Sequence, residues 1–251
     1  MDDSNQVQYH VRVKTGEVGR YVLLPGDPGR VEKIAAFLDH PHFVSSNREH
    51  TVWSGSLLGE RVSVVSTGMG CPSTAIAVEE LIKAGADTFI RVGTAGAMQP
   101  DIQVGEVVIV TGAIRDEGTT RQYLPVEYPA IADHGVVNAL EAAANSLGVP
   151  HRLGVSHTKD SFYGEIEPDR MPVADELKTR WKAWIAGGAV SSEMEAAAIF
   201  ILGSIYRKRA GAVLTIIGSD TATLKAERAS TEPMMRVAIE AVKRLIQQDR
   251  Q

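Results

Sequence analysis

Thr88-Phe-Ile-Arg-Val-Gly-Thr-Ala-Gly-Ala-Met98 decides how the rest of this chain is read. A short apolar run of β type carries Arg91 inside it and then breaks into small residues. A charged group in a buried strand must be paired or must face a polar cavity. Gly93, Thr94 and Gly96 let the backbone approach a ligand closely, with a hydroxyl at the centre. The combination predicts an anion site at the C-terminal end of a strand, where open α/β sheets bind their ligands. The plainer alternative is a strand turning into an ordinary Gly-rich loop with Arg91 in a structural ion pair, and this stretch alone does not separate the two.

Two earlier stretches repeat the arrangement. Tyr21-Val-Leu-Leu24 is a short buried strand that ends at Pro25-Gly-Asp-Pro-Gly-Arg30, and Val31–Leu38 reads as a helix. A strand, a Gly-rich turn and a helix start aim free backbone N–H groups at an anion, and Arg30 can add a fork of donors. Val62–Ser66 is a second buried strand, running into Thr67-Gly-Met-Gly-Cys-Pro-Ser-Thr74 and a helix over Ala75–Ala84. Neither turn has the P-loop or the G-x-G-x-x-G spacing. Three strands ending in small-residue loops predict an α/β fold with ligand loops along one edge.

Beyond Met98 the pattern continues. Glu106–Thr111, Leu153–Thr158 and Gly211–Ile217 read as strands, and His134–Leu147, Val173–Trp184, Glu193–Tyr206 and Ala229–Gln247 as helices. Arg115–Tyr128 and Lys159–Arg170 are polar and aromatic loops. Trp181 and Trp184, three apart on one helix face, read as packing. Ser191-Ser-Glu-Met-Glu195 sets two carboxylates around a methionine at a predicted helix start, where glutamates commonly serve the helix dipole. With no internal repeat, low-complexity tract or break in composition, residues 1–251 read as a single domain, with 1–19 as a polar arm.

Composition narrows the class. The 251 residues are 44% hydrophobic and 23% charged, ordinary for a globular enzyme-sized domain. A net charge of −5 argues against a general nucleic-acid or membrane-surface binder, so an anionic ligand must be held locally by specific arginines. Cys71 is the only cysteine. That excludes an internal disulfide and a cysteine metal cluster and points to the cytoplasm. No uninterrupted apolar stretch approaches the ~18 residues of a membrane span, and the acidic N-terminus does not read as a signal peptide.

Taken together, Gly26-Asp-Pro-Gly-Arg30, Arg48-Glu49, Ser66-Thr-Gly-Met-Gly-Cys-Pro-Ser73, Arg91-Val-Gly-Thr-Ala-Gly-Ala97, Asp160-Ser-Phe-Tyr163 and Ser192-Glu-Met-Glu-Ala196 form an ordered series. The whole resembles the nucleoside phosphorylase family of uridine phosphorylase and hexameric purine nucleoside phosphorylase. The resemblance runs from about residue 8 to about residue 246, and its overall phrasing is closest to the uridine branch. It implies a three-layer α/β/α fold around a mixed, partly barrel-like sheet. It also implies a pentosyltransferase that converts nucleoside and phosphate to free base and ribose 1-phosphate, with no cofactor beyond that co-substrate.

By the same resemblance, Gly26, Arg30, Arg91 and Thr94 bind phosphate, with Arg48 supplied across a dimer interface. Thr94, Glu193, Met194 and Glu195 hold the ribose, and His10 of a partner's arm reaches the 5′-hydroxyl. The family assembles dimers into hexamers, and some uridine phosphorylases hold a monovalent cation through residues matching Glu49 and Ser73. No resident metal is otherwise expected. Phe162, Glu165 and Arg170 fall where the uridine branch reads uracil, but Glu165 stands where that branch has a glutamine. A glutamine both accepts and donates, whereas an ionised glutamate only accepts. Ser219-Asp220 and Arg228 resemble the acid dyad of the purine branch, in which the aspartate protonates the leaving base. A purine-type or dual specificity therefore stands beside the uridine reading. A nucleosidase using water is the weaker competitor, since water needs no cluster of guanidiniums.

Overall fold

The computed structural model describes residues 6–218 and 229–251. Among these residues ten strands make one sheet. They are β1 (Tyr21–Leu24), β2 (Asp39–Asn47), β3 (His50–Leu57), β4 (Glu60–Val65), β5 (Thr88–Ala97), β6 (Val107–Asp116), β7 (Ala130–Ile131), β8 (His151–Lys159), β9 (Ser191–Glu193) and β10 (Arg209–Gly218). The helices among the described residues are α1 (Val31–Ala35), α2 (Cys71–Lys83), α3 (His134–Ser146), α4 (Phe162–Ile166), α5 (Ala174–Ala186), α6 (Ala196–Tyr206) and α7 (Glu232–Asp249).

The pairing closes on itself. From β10 the order runs β6, β8, β9, β5, and β5 pairs back to β10, so five strands form a ring. Parallel and antiparallel neighbours alternate irregularly around it. From β5 the sheet continues outward through β1, β4, β3 and β2. This is the mixed, partly barrel-like sheet that the family resemblance implies. Helix α3 packs with α7, and α2 packs with α6. Residues Ala196–Gly203 of α6 are all buried, as expected of a helix that is apolar on every side.

The predicted loop at Gly93–Ala97 is a strand. Ten residues, Thr88–Ala97, run as β5 without a break. One edge pairs with β10 from Thr88 to Gly96. The other edge is shared: β1 pairs as far as Arg91, and β9 joins only at Gly96. Between them, among the described residues, Val92–Ala95 pairs with no strand on that side. Such a divergence of neighbours is where α/β sheets open a crevice. The small residues here serve close approach to a cavity while strand hydrogen bonds continue on the β10 side.

Three other expectations change. The arm at 1–19 is polar in composition, yet Val11 and Val13 are wholly buried and belong to the core. The predicted loop Arg115–Tyr128 is gathered around buried Arg115, which donates to the carbonyls of Thr120, Leu124, Pro125 and Tyr128. Ser191–Glu193 is strand β9, so the next helix starts only at Ala196.

Packing of α3 on β10 depends on Gly211, where an added Cβ would lie 2.3 Å from Val136 Cγ1. Gly211→Ala must therefore push α3 off the sheet. An expected loss of about 1–3 kcal/mol in unfolding free energy, measured with urea, follows from the cost of overpacking.

Candidate active site

A cavity of about 520 Å³ opens along the unpaired segment of β5, lined there by Gly93, Thr94 and Ala95. Other segments close it: the Gly26–Arg30 turn, Glu49 before β3, Gly68–Met69 after β4, the β8 end with α4, Ser192–Glu195 around the end of β9, and Ile217–Gly218 at the end of β10. The ends of β1, β4, β8, β9 and β10 converge because the ring and its extension share β5.

Arg91 is the buried centre of the cavity, 4% exposed. Its Nε lies 2.8 Å from Glu193 Oε2, an ion contact out of line for a hydrogen bond, and its Nη2 lies 2.6 Å from Glu195 Oε2. Burial disfavours the guanidinium, but Glu195 and Glu193 outweigh it and hold its pKa above the usual value. Glu195 is pushed upward, because burial dominates and one guanidinium serves two carboxylates. The guanidinium folds back over Gly93, where a Cβ would come within 2.6 Å of Arg91 Cζ. Nη1 lies toward Gly26, 4.0 Å from where a Cβ would sit.

Facing it is Arg30. The Pro25–Arg30 turn is tied by Asp27, whose carboxylate accepts from Gly29 N at 2.9 Å and whose carbonyl accepts from Arg30 N at 3.0 Å. Arg30 makes no ion pair among the described residues. Burial, with Arg91 nearby and only Asp27 and Glu195 opposing, lowers its pKa. An unpaired arginine beside a second cation in a cavity is a site prepared for an anion.

Glu193 and Glu195, expected at the ribose end, divide their work between the start of α6 and the cavity. Glu193 Oε2 accepts from the backbone N–H of Glu195 and Ala196 at 2.7 and 2.9 Å, so it fixes the start of α6 while touching Arg91. Glu195 Oε1 accepts from Gly70 N at 2.7 Å. Met194 is half-buried and lines the cavity. Its carbonyl accepts from the Cys71 thiol at 3.3 Å. Burial, reinforced by Glu117 and Glu193, pushes that thiol's pKa well up, which suits a structural residue rather than a nucleophile.

At the far end stand Phe162, Glu165, Lys159 and Ser192. Lys159 carries no signal in the sequence, because it closes a strand of mixed polarity, His151-Arg-Leu-Gly-Val-Ser-His-Thr-Lys159, and only its burial sets it apart. Its Nζ lies 2.8 Å from both Glu165 Oε2 and Ser192 Oγ. Burial opposes the Glu165 carboxylate, but His157, Lys159 and Ser192 outweigh it and hold its pKa below the usual range. Behind it, His157 Nε2 lies 2.9 Å from Asp116 Oδ2, and burial's opposition to the imidazolium is overcome by Asp116 and Glu165. Trp181 and Trp184 pack against the His157 ring, consistent with their reading as packing residues.

Arg170 is a correction. Its side chain is 69% exposed and paired with Glu167, outside the cavity lining. The Phe162–Ile166 helix and the following 310 turn, Pro168–Arg170, spend the intervening residues in tight turns and carry the arginine to the surface. His10 and Arg48 do not line this chain's cavity either. His10 Nδ1 lies 2.7 Å from Glu80 Oε1, and Arg48 is exposed in the turn between β2 and β3 with φ of 54°. Asn47 Nδ2 donates to the His10 carbonyl at 2.8 Å, so His10 lies against the residue that precedes Arg48. Glu49 reaches the cavity rim, and its Oε1 accepts from Ser73 Oγ at 2.7 Å. Asp220 and Arg228 lie outside the described residues.

Comparison with known proteins yields a family model, the phosphorylase superfamily, matching residues 20–248. A uridine phosphorylase of Treponema pallidum is 54% identical over 98% of this chain and 97% of its own length. One from Thermococcus kodakarensis is 44% identical over 97% and 88% respectively. A guanosine phosphorylase of Halorubrum lacusprofundi is 40% identical over 84% and 83%.

Proposed function

The chain belongs to the phosphorylase superfamily, and from that premise we propose that it phosphorolyses nucleosides, with uridine as its principal substrate. The observation that carries the reading is Arg91, fixed by Glu193 and Glu195 just before the open segment of β5 and close to Arg30, which has no ion pair among the described residues. Inorganic phosphate is the co-substrate, and no further cofactor enters.

Phosphate sits between Arg30 and Arg91, with Thr94 and the backbone at Gly26 as further donors. Glu195 accepts from the ribose hydroxyls, and Met194 packs on the sugar. A phosphate oxygen attacks C1′ as the glycosidic C–N bond breaks. That bond's electron pair leaves on the base nitrogen, and the base later takes up a proton. The sugar passes through an oxocarbenium-like state whose positive charge the phosphate stabilises from below. Positioning and preorganised charge supply most of the rate.

The adjacency of His10 and Arg48, away from their own cavity, supports a dimer in which both serve the partner's site. A cytoplasmic hexamer built of such dimers completes this reading. The single Ser73 hydroxyl proton faces two acceptors, Glu49 Oε1 and the Thr67 carbonyl. That excess of oxygen acceptors suits a monovalent cation at the interface.

A second reading, a 6-oxopurine or dual specificity, is favoured by Glu165 and by the guanosine phosphorylase relative, with Asp220 and Arg228 as the acid dyad. The test is a phosphate-dependent panel of uridine, thymidine, cytidine, inosine, guanosine and adenosine. Uracil and ribose 1-phosphate should appear from uridine only when phosphate is present. Equal base release with and without phosphate would establish a hydrolase instead. Inosine or guanosine outrunning uridine would favour the purine reading.

A further inference from the structure

Replacing the expected glutamine by Glu165 removes a donor from the base end of the cavity, and Arg170, at the surface, does not restore it. The missing donor is present on another element. Lys159 closes β8, is 6% exposed and lines the cavity. Its ammonium has three protons. Among the described residues two are directed at Glu165 Oε2 and Ser192 Oγ, both at 2.8 Å, which leaves a third.

Glu165 is engaged on one side only. Lys159, Ser192 and, at 3.6 Å, His157 all address Oε2. Among the described residues nothing donates to Oε1. That oxygen faces Gly96, 3.9 Å from where a Cβ would sit, so the glycine keeps the space before it clear. A donor and an acceptor thus stand side by side at the end of the cavity away from Arg30.

We propose that Lys159 and Glu165 together read the leaving base, Lys159 Nζ donating to a ring carbonyl and Glu165 Oε1 accepting the adjacent ring N–H. This rests on the phosphorylase reading and gives it a substrate class. An adjoining C=O and N–H is the lactam edge, present in uracil, thymine, hypoxanthine and guanine. Cytosine and adenine present a ring nitrogen acceptor beside an amino donor, which puts acceptor against Glu165 and donor against Lys159. The couple therefore selects oxo bases over amino bases and is indifferent to whether the ring is a pyrimidine or a purine. It accounts for a chain that resembles both uridine and guanosine phosphorylases.

The couple is held from behind. Ser192 Oγ, bonded to both partners, lies 3.2 Å from His157 Nδ1, and the imidazole is anchored on Asp116, itself paired with Arg180. A reader pinned in this way loses little order when it meets its ligand.

The experiment compares the full-length wild type with Lys159→Met and Lys159→Gln. The wild type should cleave uridine and inosine but neither cytidine nor adenosine. It should also reject 3-methyluridine, which lacks the N–H. Lys159→Met should lower kcat/KM for uridine by roughly 10- to 100-fold, the loss of one charged hydrogen bond, with KM for phosphate unchanged. Lys159→Gln, which keeps a donor, should recover part of the loss. Uridine turnover within about threefold of wild type in Lys159→Met would overturn the inference, as would a rise in KM for phosphate of the same size as the loss for uridine. Brisk cleavage of cytidine or 3-methyluridine by the wild type would overturn it without any variant. Failure of the wild type to form ribose 1-phosphate from any nucleoside would instead overturn the phosphorylase reading, and this inference with it.

Discussion

Arg91→Met is expected to lower kcat/KM for phosphorolysis by at least about 10²–10³-fold, the range for losing a preorganised donor to developing charge. The loss should exceed that of a surface arginine because two functions fail together. The phosphate loses a guanidinium, and Glu193 and Glu195 are left buried without their shared cation. Removing one partner of a buried pair costs about 3–5 kcal/mol of stability. The destabilisation should grow as pH rises. Without Arg91, burial carries the folded-state pKa of Glu195, already raised, further above its unfolded value. The folded variant then binds more protons than the unfolded one, and its stability falls as pH rises through that raised value. Urea unfolding at several pH values and steady-state kinetics against phosphate check both parts. A variant that keeps the wild-type KM for phosphate would remove Arg91 from the phosphate site.

Gly93→Ala should be nearly as damaging to activity while sparing most of the fold. A methyl there would lie 2.6 Å from Arg91 Cζ and 2.7 and 2.8 Å from its two terminal nitrogens. A free arginine would swing away cheaply. This one is held by two carboxylates, so either the ion pairs break or β5 shifts at the segment that lines the cavity. A displacement of about 1 Å at a positioned group can cost roughly 10²-fold in rate. The expected signature is a large fall in kcat/KM with a smaller loss in unfolding free energy than Arg91→Met suffers. Activity within about threefold of wild type would show that Arg91 is not held in a required position.

Both predictions concern a stretch whose chemistry was legible before its shape. An arginine inside an apolar run has to be paired or face a cavity, and here it does both. Its conformation is less legible. Gly93-Thr-Ala-Gly96 has a loop's composition, yet it is strand, because β10 supplies hydrogen bonds along its whole length. The carboxylates of Ser191–Glu195 were legible as unusual but not as partners of Arg91, since β9 meets β5 only through a pairing of residues far apart in the chain.

The base end shows the opposite case. Arg170 looked suitable by residue type and by order after Phe162-Tyr163, but a short helix and a 310 turn carry it to the surface. Lys159 falls where the sequence presents a polar loop, and a lysine there is ordinarily solvated, so only burial makes it informative.

The sequence by itself determined the family, the α/β class and the residue types at the anion and ribose ends, because backbone approach, anion binding and sugar recognition demand particular residues in particular local turns. Tertiary structure decided which charges meet. Closing the sheet through β5 and β10 brings Arg91, Glu193 and Glu195 together, and the end of β8 against α4 sets Lys159 beside Glu165. Coulombic and hydrogen-bond partners are chosen by distance in space, and strand pairing sets that distance without regard to separation along the chain.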